Sequence, residues 1–144
     1  MKYQIAENTL MEPFVSPELC DALVIAGLDT LAVYNWKITE GRVTLFTLAF
    51  DTDLYSKQAT LNTEFINGSK WIPAYQYTDL QKILPDYMLS RNNDQFELHC
   101  DQLFEYSIET ASRMPDVFAK MVIQGINSGK INLSKAIEKI KVKH

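Results

Sequence analysis

The order of periodic segments constrains this chain more than any motif in it. Between residues 16 and 50 a short, well-capped helical pattern is followed by strand-like apolar runs. A similar order returns between 78 and 110, and two further helical patterns close the chain. Ser16 is a natural N-cap, Pro17 suits the first helical position, and Glu18 complements the positive end of the helix dipole. Leu19, Ala22, Leu23 and Ala26 recur at the spacing of one helix face, and Gly27 can take the left-handed conformation that ends a helix. Leu31 to Ile38 then reads as a strand and Thr39-Glu40-Gly41-Arg42 as a hairpin turn. Val43 to Phe50, apolar on both faces, reads as a central strand. The repetition is one of element order, because the residues of the two halves do not align.

Asn67-Gly68 marks a turn between residues 63–66 and 70–72, and Pro73 confines any strand there to an edge, so the path of residues 51–76 stays open. Thr78 and Gln81 have capping-box spacing. Leu80, Ile83, Leu84, Tyr87 and Met88 continue a helical period that Pro85 kinks or ends. Phe96, Leu98 and Cys100 alternate with Glu97, His99 and Asp101, and Phe104, Tyr106 and Ile108 alternate with Glu105, Ser107 and Glu109. These are two strands with one buried and one wet face, joined by a turn at 101–102. Met114, Val117, Phe118, Met121, Val122 and Gly125 share one face of a third helix. Asn132 caps a fourth, with Leu133, Ala136, Ile137 and Ile140 inward. The expected fold is α+β, in the order α-β-β-α-β-β-α-α, with an antiparallel sheet of about four strands and helices packed on one face. A length of 144 residues points to one domain that needs neither a disulfide nor a metal for stability.

Two cysteines, Cys20 and Cys100, do not make a disulfide framework, which points to a reducing interior. No run approaches the roughly 18 apolar residues of a membrane span, and Met1 to Asn8 has no apolar core of a signal peptide; the expected location is the cytoplasm. Net charge is −4, unevenly spread. Five lysines against Glu138 leave +4 over residues 130–144, so residues 1–129 carry −8. An acidic body argues against broad contact with nucleic-acid phosphates. The basic segment from Lys130 to Lys143 is the exception, and it reads first as cations complementing a helix C-terminus.

Chemistry-bearing residues are few. His99-Cys100-Asp101 brings a base, a nucleophile and an acid together in sequence, but neighbours on a strand point to opposite faces, so His99 and Cys100 diverge. Asp51-Thr52-Asp53 could hold a cation or satisfy turn backbone, and Glu97 and Glu105 are possible cross-strand neighbours on the wet face. No paired Cys or His spacing of a zinc site occurs, nor a Gly-rich phosphate loop, so no metal, cofactor or catalytic residue is expected. Trp71, Tyr75 and Tyr77 lie in one seven-residue stretch with Pro73. They either pack on the protein's own sheet or present an interface, since Trp and Tyr are enriched at binding hot spots.

Three segments carry a resemblance: Val15-Ser16-Pro17-Glu18-Leu19-Cys20-Asp21-Ala22-Leu23, Ile72-Pro73-Ala74-Tyr75, and Pro115-Asp116-Val117-Phe118-Ala119-Lys120-Met121-Val122-Ile123. In these the chain resembles small proteins of no assigned activity encoded in bacteriophages and integrative elements of gut anaerobes. Where that family carries a tryptophan-containing stretch in its middle helix, this chain has Leu84-Pro85-Asp86-Tyr87. The resemblance implies a bacterial cytoplasmic setting and an accessory role, and it assigns no residue a function. The expected activity is therefore non-enzymatic binding of another protein, with self-association as a variant. The surface would be Trp71, Tyr75 and Tyr77, or the sheet face that helices leave uncovered. A small enzyme built on acidic groups and His99, and nucleic-acid binding through the basic C-terminal helix, are the alternatives.

Overall fold

The computed structural model describes residues 4–5, 12–30, 32, 34–47, 65–66, 69–104 and 108–140. In chain order the elements are β1 (Gln4–Ile5), α1 (Pro17–Ile25), β2 (Tyr34–Thr39), β3 (Arg42–Thr47), β4 (Phe65–Ile66), β5 (Ser69–Pro73), α2 (Tyr77–Gln81), β6 (Met88–Asn92), β7 (Gln95–His99), β8 (Ile108–Ala111), α3 (Met114–Asn127) and α4 (Leu133–Ile140). The class is α+β, as expected. The strands divide between two sheets rather than forming one. One has the order β1-β3-β2-β5-β4, the other β6-β7-β8. Pairing is antiparallel throughout except for β1 beside β3.

The first sheet grows from a two-residue hairpin. Thr39 pairs with Arg42, and Glu40 and Gly41 both take positive φ, 51° and 82°. That geometry matches the right-handed twist of the flanking strands. β3 is interior, between β1 and β2, while β2 is the middle strand; residues 48–50 of the expected strand lie outside the described residues. Phe65–Ile66 does pair with the start of β5, as the turn signal implied, while Asn67 and Gly68 themselves lie outside the described residues. The expectation that Pro73 confines this strand to an edge is corrected: β5 is interior at Ser69 and Lys70, and β4 ends before it reaches Pro73. The missing N–H of Pro73 therefore falls where none of the described strands lies on that side.

Helix α1 starts at Ser16 and Pro17 as read, but the Ser16 side chain makes no cap bond; its backbone N–H instead donates to Asp116 Oδ1 at 2.8 Å. At the other end Leu28 N–H donates to Leu23 O and Gly27 N–H to Val24 O, each at 2.9 Å, with Gly27 at φ 114°. This is a Schellman ending, which needs the left-handed conformation glycine adopts without strain. Gly27 also faces α4, because a Cβ there would lie 2.5 Å from Leu133 Cδ2. The buried face of α1 is Cys20, Asp21, Leu23 and Val24, rotated from the expected one; Leu19 and Ala22 are half-buried. Asp21 tolerates burial because Lys70 of β5 pairs with it at 3.1 Å.

The second half departs from its sequence reading between 76 and 92. The cap of α2 is Gln76, not Thr78, and Gln76 N–H donates to Asp79 Oδ2 at 2.9 Å. The helix is over before Pro85, and Met88 opens β6 rather than closing a helix. Asn93, at φ 57°, turns the chain into β7. Helix α3 buries Val117, Phe118, Met121, Val122 and Gly125, as its periodicity predicts, and packs on β7 and β8. Buried apolar residues of both sheets and of α3 form one cluster, with Trp36, Ile72, Leu98 and Phe118 all fully enclosed. Phe14 meets the rings of Tyr34 and Trp36 edge-on, at 5.1 and 6.0 Å.

Candidate functional site

Two of the three residues of the expected binding segment are buried. Trp71 is 4% exposed, on the sheet face opposite α1, with Lys37 Nζ 5.5 Å from its ring centroid. Tyr75 is 2% exposed; its hydroxyl donates to Leu28 O at 2.7 Å and accepts from Thr30 N–H at 3.4 Å. Burial pushes its phenol well above the ordinary value. Tyr77 is half-buried beside Phe118, with ring centroids 6.1 Å apart. Of the candidate interface Trp71, Tyr75 and Tyr77, the first two are thus packed in the protein's own core, and Tyr77 keeps part of its surface. What the sequence could not supply was the distant partner: Tyr75 is held by backbone 45 to 47 residues away.

His99 lies elsewhere, in the middle strand of the second sheet. Cross-strand register puts Met88, His99 and Ile108 in one row, followed by Ser90, Glu97 and Thr110. Directly opposed residues share a face, and this face points outward. Met88 is 68% exposed and Ile108 47% exposed. The neighbouring inward row carries Leu98, which is fully buried under α3 with Ala111. At the open end of the row Asp86, Tyr87, Met88, His99, Asp101 and Gln102 line a shallow pocket of about 490 Å³. Tyr87 is fixed from two sides: its ring stands edge-on to Phe118 at 5.1 Å, and its hydroxyl accepts from Gln81 Nε2 at 2.8 Å.

The Cys–His reading fails on geometry here. Cys100 is buried, and its thiol donates toward Asp86 O at 3.5 Å, away from the outward face that carries His99. Burial, with Asp101 and Asp86 adding to it, raises this thiol's pKa, so little thiolate forms. Cys20 is more extreme, pushed up to about 12 by burial, with partial relief from a backbone bond at Tyr75 and from the Trp36 indole. Glu97 accepts from Asn92 Nδ2 at 3.1 Å; Glu105 and Asp51 to Asp53 lie outside the described residues. No group of three His, Cys, Asp or Glu among the described residues could hold a metal ion, and no described helix is long and apolar enough to cross a membrane.

In the row two exposed apolar side chains flank an imidazole, with Asp86, Asp101 and Glu97 around them. The outward positions of β6, β7 and β8 in the described residues hold no Lys or Arg. Comparison with known protein families, with curated proteins and with solved structures finds no match.

Proposed function

We propose that this protein is a non-enzymatic protein-binding domain and that the outward face of β6-β7-β8 is its binding surface. The observation that carries the reading is the Met88–His99–Ile108 row. Large apolar side chains stand exposed on a sheet face that no described helix covers, while Trp36 and Trp71 of the other sheet are buried. Burying Met88 and Ile108 on association would contribute at roughly 25 cal/mol per Å² of apolar area removed from water. The acidic surroundings fit a partner segment that places an apolar side chain in the row and basic side chains against Asp86, Asp101 and Glu97. The resemblance to proteins of bacteriophages and integrative elements makes a host or element-encoded protein the natural partner, and a second copy the variant.

The reading is tested by placing a photo-crosslinking side chain at Met88, Ile108 or Arg42 and irradiating the native host. Adducts of defined mass from positions 88 and 108, with none from the exposed control at 42, support it. An adduct of twice the chain mass identifies self-association. Equal yields at all three positions, or none at 88 and 108, overturn it.

A further inference from the structure

A second concave feature lies on the other side of Gln102, independent of the sheet face. Ile83, Leu84, Leu103, Ile131 and Ala136 are buried and form the floor of a cleft of about 310 Å³ between α4 and the turns at 83–85 and 102–103. Lys130, Lys135 and Lys139 stand exposed around it, and no Asp or Glu is among the described residues that line it.

The helix dipole accounts for only one of these three cations. Lys139 lies in the last turn of α4, where a positive charge is favourable. Lys135 lies in the first turn, where its own N–H is capped by Asn132 Oδ1 at 3.1 Å, and Lys130 precedes the helix. A cation near the positive end of a helix is disfavoured. Lys135 and Lys139 are also one helical turn apart, a like-charge spacing that costs a few tenths of a kcal/mol. In a chain of net charge −4, three lysines line one apolar-floored cleft, Lys130 and Lys135 against the dipole and Lys135 with Lys139 at a like-charge spacing.

We propose that this cleft binds a small organic anion carrying at least two negative charges and an apolar portion. The lysines supply charge-assisted hydrogen bonds to the anionic group, and the Ile83–Leu103–Ile131 floor takes the apolar part. The volume lies at the lower end of the range for small-ligand pockets, roughly 300–1,000 Å³. Phosphate and carboxylate groups satisfy the same lysines, so the test has an arm for each.

The full-length chain is titrated at low salt with phenyl phosphate and, separately, with citrate, following the backbone amide signals of Gln102, Ile131 and Ala136. The expected result is saturable shifts with at least one probe; which probe responds distinguishes a phosphate from a carboxylate ligand. In the Lys135→Gln/Lys139→Gln variant the affinity falls at least about tenfold. It is retained in Lys135→Arg/Lys139→Arg and unchanged in Arg42→Gln. No saturable shift with either probe, equal affinity in the double glutamine variant, or binding of a single-stranded oligonucleotide without any response to the small anions overturns the proposal.

Discussion

The two sheets treat their faces differently. In the first, the β2–β5 pair is buried on both sides: Trp36 and Ile72 are fully enclosed on the α1 face, and Trp71 is enclosed on the opposite face. In the second, Leu98 is equally enclosed on the inner face, while Met88 and Ile108 stand in solvent on the outer one. Both sheets contribute to one apolar cluster, so the second needs only its inner face to take part in the core. The difference shows where substitution is constrained by folding and where it is not. Aromatic residues concentrate in the first sheet and its flanking segments because they are its packing. The apolar residues exposed on the second sheet are not enclosed by the core, which is the ground for the binding role proposed for them.

Five substitutions can break or sharpen this contrast. The largest effect belongs to Trp36→Ala, expected to cost roughly 3–5 kcal/mol in urea denaturation because it empties a fully enclosed site. Met88→Ala should stay within about 0.5 kcal/mol of the parent, and similar costs at the two positions would abolish the contrast. Tyr75→Phe removes the donor to Leu28 O and leaves that buried carbonyl short of a partner, for a loss of about 1–3 kcal/mol. Next is an alkaline effect confined to the enclosed side. The Cys20 thiol is held at about 12 in the folded chain against an ordinary 9.0, so its contribution to stability is complete below pH 9.0 and is lost as pH rises toward 12. In thermal unfolding across that window, Cys20→Ala should show a shallower decline than the parent. The smallest is Asp79→Asn. Desolvation raises the Asp79 carboxyl above 3.8, so its contribution is present below pH 3.8 and fades as pH rises through the folded value. The variant should flatten that part of the pH profile while still offering an oxygen to Gln76 N–H.

The sequence was legible where one periodicity governs one buried face. Helix α3 shows this, with Val117, Phe118, Met121 and Val122 inward as spaced. So does the alternation that sends Leu98 in and His99 out. It misled where a distant residue decides. Asp21 on the inward face of α1 is met by Lys70 from β5, and the buried Tyr75 hydroxyl donates to Leu28 O and accepts from Thr30 N–H. Leu80, Ile83, Leu84, Tyr87 and Met88 kept a helical period across Pro85, which concealed β6. Without β6 the position of His99 could be read, but its neighbour Met88 in the outward row could not. The cleft lysines were visible as a basic tail. Their convergence required the chain between Leu84 and Leu103 to come alongside α4.

The central claim is that the outward face of the second sheet serves binding and not folding. It is tested most directly by the Met88→Thr/Ile108→Thr variant carrying a photo-crosslinker at Ser90, on the same face. Threonine keeps strand propensity and removes the apolar surface. The account predicts an unfolding free energy within about 1 kcal/mol of the parent, together with loss of the adduct that the parent forms from position 90. An adduct of undiminished yield, or a loss of stability comparable to that of Trp36→Ala, would contradict it.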